Sequence, residues 1–331
     1  MGHPLAIPGH AGWNTYVAFD INEFKNNSLR VKYDDVNYDA FRSRPLTPAA
    51  LRTLRYMSDV ESHTICYLRD LLVTPSHKDP EVTAFLTHWA YEEFWHGEAL
   101  DEVLRVHGMV ADYAHIREVR LSQGIKDRLA PISQAITANV IGDDFVAVHM
   151  SWGTINEWSA HSAYARMIQR EDHPELTKLL RRIQHQETRH LAFYASQAKD
   201  RLARSAGARR LTRLAMKAFW GPVGSTIQPK RETAFVLNYL MGGVEGAKHI
   251  ARIDRKMDEM PGLAGLSLVR RAVARYGVGP GVAERRQRLI HRLAAVRSAA
   301  APRARSVAGA LTQPVEVRHA NGTRSTGESP A

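Results

Sequence analysis

One cysteine, Cys66, stands in 331 residues. A single thiol closes no intrachain disulfide, and it excludes the thiolate-rich sites that hold zinc or iron–sulfur clusters. No apolar run reaches the 18–20 residues that a bilayer-spanning helix needs. No signal peptide opens the chain and no nucleic-acid-binding module is recognisable in it. The expectation is a soluble, cytoplasmic protein that binds no nucleic acid. A linker is missing too: helical patterning runs without a clear interruption to about residue 300. One bundle with additions fits this better than a string of small domains.

Against these absences stand two Glu-x-x-His segments within the helically patterned part of the chain: Glu93-Phe94-Trp95-His96, and Glu187-Thr188-Arg189-His190 94 residues later. Composition alone produces about one such match by chance, so the spacing carries little without its context. A lone Glu precedes each copy by about thirty residues, Glu61 before the first and Glu157 before the second. Pro80-Glu81 and Pro174-Glu175 each stand 13 residues before the Glu of a copy. Proline followed by an acid marks a helix start, and Asp79 is a good N-cap. At about 1.5 Å per residue, each Glu then lies roughly 20 Å into its helix. Glu61 lies about as far from the break near Val73-Thr74-Pro75, and Glu157 about as far from Glu171-Asp172-His173-Pro174. Two antiparallel hairpins thus return each Glu-x-x-His to the level of its lone Glu.

The same residues sit on apolar stripes of helical period, such as Val82, Leu86, Trp89, Glu93, His96, Leu100 and Val103, or Leu176, Leu179, Ile183, Glu187, His190 and Tyr194. A buried carboxylate without a partner is costly, so four of them on core faces require protons, cations or metal. Residues i and i+3 share a helix face, so each Glu-x-x-His offers one oxygen and one nitrogen to a single ion. The reading is an all-α four-helix bundle whose Glu61, Glu93, His96, Glu157, Glu187 and His190 hold two metal ions. Carboxylate and imidazole suit iron, with manganese as an alternative. Ligand imidazoles need orienting partners, and Glu92, Gln186 and Asn156 are candidates. His161, one turn past Glu157, is either a further ligand or proton donor, or a supporting core group. Trp89, Met150, Trp158 and Tyr164 are core residues or the lining of a channel.

Along the chain, residues 1–45 read as an N-terminal arm packed on the bundle, and 46–206 as the bundle itself. Its ligand helices run from Pro48 to about Leu72, from Pro80 to about His107, from Asp144 to the Glu171 break, and from Pro174 to before Gly207. A connecting helix over 111–141, interrupted near Pro131, joins the two hairpins. Residues 207–298 read as a C-terminal helical extension with helices over 211–220, 231–258, 264–276 and 282–298. Glycines 242, 243 and 246 suggest a close helix approach or a weak helix. Residues 299–331 read as a disordered tail. Residues 201–331 carry 24 Lys and Arg against 8 Asp and Glu, a basic half that suits an acidic partner or is simply a solvated surface.

The segment His88-Trp89-Ala90-Tyr91-Glu92-Glu93-Phe94-Trp95-His96-Gly97 resembles the Glu-Glu-x-x-His-Gly segment of soluble acyl-carrier-protein desaturases, and Glu187-Thr188-Arg189-His190 resembles their second Glu-x-x-Arg-His. The resemblance covers roughly residues 50–200 and includes the order and spacing of all six ligands. It implies a ferritin-like bundle with two irons, bridged by Glu93 and Glu187, that uses oxygen and a ferredoxin-like electron donor to oxidise C–H bonds of an acyl chain on an acidic carrier protein. It also implies a homodimer. The chain departs from that pattern at Ala160, Gln186 and Trp95, where those enzymes carry Thr, Asp and Arg. The alternatives are a di-iron hydroxylase or N-oxygenase of a small metabolite, and a ferritin-like metal-binding protein without organic chemistry.

Overall fold

In the computed structural model, four long helices carry the chain past a common centre, three of them started by a side chain that accepts from the first free N–H groups. The structure describes residues 19–278. After two short helices of the arm, α1 (Ile21–Asn27) and α2 (Asp39–Ser43), comes α3 (Pro48–Leu71), capped by the Thr47 hydroxyl on Ala50 N. A 3₁₀ turn (Pro75–Lys78) leads into α4 (Pro80–Val106), where the Asp79 carboxylate accepts from Glu81 N and Val82 N. Proline occupies the first helical position in both, where its missing N–H is not needed. Then follow α5 (Tyr113–Ser122), α6 (Gly124–Ile141), α7 (Asp144–Glu171) and α8 (Pro174–Arg204). His173 caps α8 after Asp172 turns the chain in the left-handed region (φ 46°).

Pairs α3–α4 and α7–α8 form two antiparallel hairpins, and α4 meets α8 between them. Their apolar stripes interlock around Leu54, Leu86, Leu100, Ile155, Leu180 and Ile183. Phe85 and Phe193 stack at 3.9 Å between ring centres, with Tyr194 edge-on to Phe85 at 4.9 Å. The arm closes one side: Phe24 packs 5.3 Å from Phe85, and Arg182 clamps Asp35. No strand occurs among the described residues.

Downstream, α9 (Ala206–Phe219) lies on α7 and α8, and α10 (Lys230–Met241) against α3 and α7. Next, α11 (Gly243–Asp258) packs on α7, and α12 (Leu268–Arg275) packs on α11. Asp254 of α11 caps α12, accepting from Val269 N at 2.8 Å and Arg270 N at 3.1 Å.

Two helices expected as continuous or broken elsewhere differ. The 111–141 segment breaks at Gly124 (φ +60°), a conformation that glycine adopts without strain, and not at Pro131. Pro131 lies inside α6; its ring removes the N–H that would reach the Asp127 carbonyl, and Arg69 Nη2 approaches that carbonyl at 3.4 Å instead. The 231–258 segment splits at Gly242–Gly243, where Gly243 takes φ +74°. A side chain on Gly246 would come within about 2.1 Å of the Met241 carbonyl oxygen, so the glycines serve a tight corner. The helix expected over 211–220 begins earlier, at Ala206, and the one over 264–276 spans Leu268–Arg275. The helix over 282–298, the tail 299–331 and the first 18 residues of the arm lie outside the described residues.

One buried group outside the centre has a measurable consequence. His149 of α7 is enclosed, with Nδ1 2.8 Å from Ser76 Oγ, and burial pushes its pKa down to about 3. Between the unfolded value near 6.5 and that folded value, the unfolded chain binds a proton that the folded chain does not. Stability therefore falls as pH drops through this window, by up to about 1.4 kcal/mol per pH unit from this residue. His149→Gln is expected to flatten the slope of urea-unfolding free energy between pH 6 and 4. An unchanged slope would assign acid sensitivity elsewhere.

Candidate metal centre

Six side chains meet where the hairpins face each other: Glu61 from α3, Glu93 and His96 from α4, Glu157 from α7, Glu187 and His190 from α8. All are buried. Their donor atoms form two groups of four, each with all atoms within 4.8 Å: Glu61, Glu93, His96, Glu187, and Glu93, Glu157, Glu187, His190. Glu93 and Glu187 belong to both. His96 Nδ1 lies 3.3 Å from Glu187 Oε1 and 3.8 Å from Glu61 Oε2. His190 Nδ1 lies 3.1 Å from Glu93 Oε1 and 3.5 Å from Glu187 Oε2.

These approaches are not hydrogen bonds. Glu61 Oε2, Glu93 Oε1, both Glu187 oxygens and both Nδ1 atoms are buried without a hydrogen-bond partner. Six orphaned polar atoms in one place are a large penalty, since each costs about 1–3 kcal/mol. They converge instead on shared space between them. An all-oxygen-and-nitrogen donor set with two shared carboxylates fits a pair of divalent cations that prefer carboxylate and imidazole.

The imidazoles are oriented from behind, crosswise. Gln186, next to Glu187 on α8, accepts from His96 Nε2 at 3.0 Å, and its amide nitrogen donates to the Leu29 carbonyl at 2.7 Å. The Leu29 carbonyl fixes which end of the amide faces His96, so the ring carries its proton on Nε2 and turns the Nδ1 lone pair inward. Glu92, next to Glu93 on α4, likewise accepts from His190 Nε2 at 2.8 Å and from Arg189. Arg189 in turn donates to the Asn27 carbonyl at 2.9 Å. Burial opposes the Glu92 charge, but His190 and Arg189 hold its pKa below the usual value. Trp89 Nε1 donates to Glu157 Oε1 at 3.1 Å and Tyr164 Oη to Glu61 Oε1, so each lone Glu has one oxygen tied and one facing inward.

Without ions, protons take up the imbalance. Burial and the repulsion of Glu61 and Glu187 push Glu93 well up, and burial beside Glu187 does the same to Glu157. Burial works against the Glu187 charge too, yet His190 and His96 hold its pKa well down. Both imidazoles, though burial opposes their charge, are raised by Glu187.

Two other candidates lie elsewhere. Asn156 Oδ1 accepts from Trp220 Nε1 at 3.2 Å, bracing the turn after α9 and touching no ligand. His161 faces the Trp158 ring at 6.2 Å and is absent from both donor groups. The pattern along the sequence did not disclose the carbonyls of Asn27 and Leu29, which hold Arg189 and Gln186 from the arm. Trp89 and Tyr164 carried a signal, standing at helical spacing from Glu93 and Glu157, but not one that distinguishes a hydrogen-bond donor from core. A third set of donors, His63, Cys66 and Asp127, lies between α3 and α6, but both carboxylate oxygens of Asp127 are already held by Arg69, at 3.2 and 2.9 Å.

A narrow cavity of about 90 Å³ lies beside the centre. Glu61 and Tyr164 line it, and nearly all the rest of its wall is apolar, from Met57 and Ala160 to Val236, Leu240 and Ile253. Trp89, Met150 and Trp158 are not among its lining residues. Compared with family models, with curated proteins and with solved structures, the chain matches none.

Proposed function

We propose that this chain is an oxygen-dependent oxidoreductase with a non-haem di-iron centre, acting on a C–H bond of an apolar chain-type substrate. The observation that carries the reading is the junction at Glu61: one side chain belongs both to the orphaned donor cluster and to the wall of the apolar cavity. Held there, two irons would supply oxygen activation. The protein's residues do the rest. Glu93 and Glu187 join the two ion positions, while Gln186 and Glu92 fix the imidazoles. Tyr164 orients Glu61 at the cavity edge. Met57, Leu240 and Ile253 exclude water and align an apolar chain along the helices.

The cavity favours an acyl chain over a small polar metabolite, and with the resemblance in the ligand segments it supports a desaturase-type reaction. A carrier protein as vehicle and a ferredoxin-like donor extend that reading to the basic half of the chain. The test is iron-loaded protein with oxygen, a reductant and acyl groups on carrier protein. Loss of two hydrogens from the acyl chain is the expected product. Gain of an oxygen would favour a hydroxylase. Stored iron with no oxygen-dependent product on acyl, amine or aromatic substrates would favour a metal-binding protein. Metal analysis of the purified protein decides between iron and manganese.

A further inference from the structure

The lone thiol of the chain has company. On α3, His63 and Cys66 stand three residues apart, which puts both side chains on one face of the helix. Asp127, in the first turn of α6, meets that face. A ring nitrogen of His63, the Cys66 sulfur and a carboxylate oxygen of Asp127 all lie within 4.8 Å of one another. His63 is buried, and its Nδ1 is enclosed without a hydrogen-bond partner. An unpaired ring nitrogen is costly unless something other than a hydrogen bond meets it. Cys66 is only partly buried, so an ion can enter from solvent.

Arg69 holds both oxygens of Asp127, but this does not close the set. A carboxylate oxygen has two lone pairs, so the arginine fork leaves one free on each. Ligating carboxylates are themselves hydrogen-bonded from behind, as Glu61 is by Tyr164. The surrounding charges agree. Four act on the Cys66 thiol, Arg69 and Arg120 against Asp70 and Asp127, and they cancel. Arg69 is shared between the two aspartates, and Arg120 turns to the Ser62 carbonyl at 2.9 Å.

The donors select the metal. Sulfur, imidazole and carboxylate together suit zinc, whereas the sulfur-free centre suits iron. Zinc takes sulfur at about 2.3 Å and nitrogen or oxygen at about 2.0–2.2 Å, which sets tetrahedral ligands about 3.3–3.6 Å apart. Donors within 4.8 Å of one another have to close by at most about 1.5 Å. An ion here also has something to hold. Among the described side chains of α6, Ala138 alone is fully buried. From α5, Ile116 and Val119 turn toward α3 and are only partly buried. Little apolar surface fastens this pair of helices to the bundle.

We infer that His63, Cys66 and Asp127 form a second, mononuclear zinc site that ties α6 to α3, the helix that carries Glu61. The inference stands apart from the di-iron reading, because the two sites share no ligand.

Cobalt(II) titrated into the full chain, after dialysis against a chelator, tests it. Only a sulfur ligand gives thiolate-to-cobalt charge transfer in the near ultraviolet, and the chain has one thiol, so the band reports this site alone. Wild type is expected to show the band and to lose it when zinc is added. Cys66→Ser is expected to lose the band and one bound ion while keeping the ions of the centre. Glu187→Ala is expected to keep the band. His63→Gln and Asp127→Asn retain the thiol, and each is expected to weaken binding at this site about tenfold or more. Unchanged far-UV circular dichroism shows that the variants are folded. A wild type without the band overturns the inference. So does a band that His63→Gln or Asp127→Asn leaves at wild-type affinity, which would mean adventitious binding to a lone thiol.

Discussion

Glu187→Ala is expected to remove both ions from the purified protein, and Glu61→Ala only one. The difference follows from membership. Glu187 supplies an oxygen to each group of four donors, whereas Glu61 serves one of them. Losing Glu187 leaves each position with three donors and also takes away the charge that raises both imidazoles. Losing Glu61 leaves the group of Glu93, Glu157, Glu187 and His190 complete. Removing a group that only orients a ligand typically weakens metal affinity 10–100-fold, so loss of a shared ligand is expected to exceed 100-fold. Titration with ferrous iron under argon, read by metal analysis after gel filtration, gives the two stoichiometries. Equal losses from the two variants would mean that the ions do not share carboxylates. The metal-free cluster also fixes the sign of a pH effect. Burial and neighbouring carboxylates push Glu93 and Glu157 up, so their protons compete with the ions, uptake releases protons and affinity weakens as pH falls.

The residues that meet in the centre were legible because helices impose a period. Three-residue steps within Glu93–His96 and Glu187–His190, and equal distances from proline starts, fix height and facing direction before any packing is known. Fixing Gln186 and Glu92 behind the opposite hairpin's histidine takes more, because that crosswise brace depends on how α4 crosses α8. The anchors at Asn27 and Leu29 are backbone carbonyls, for which any residue would serve, and so they leave no trace in side-chain pattern. The break at Gly124 was hidden for a different reason. Pro131 has the stronger intrinsic tendency to end a helix, but a neighbouring arginine covers the carbonyl it frees, while a glycine with φ +60° has no such need.

Ala160→Phe is expected to abolish oxidation of an acyl substrate while leaving both ions bound. Ala160 lines the cavity one turn beyond Glu157 on α7, a helix held between α8, α9 and α11, so its backbone has little room to retreat. A phenyl ring there adds volume opposite the Met57 and Glu61 side of the cavity, where a chain-type substrate must pass to reach the centre. Turnover is expected to fall at least 100-fold, a loss of about 2.7 kcal/mol in transition-state stabilisation. The donor atoms of Glu157 are untouched, so metal analysis separates this effect from ligand loss. Ala272→Phe makes the contrast. It fills the same cavity from α12, which carries no ligand, and is expected to shift the preferred chain length and spare the rate on a shorter chain. If Ala160→Phe oxidised the substrate as fast as wild type, the reacting chain would have to reach the centre by a route other than this cavity.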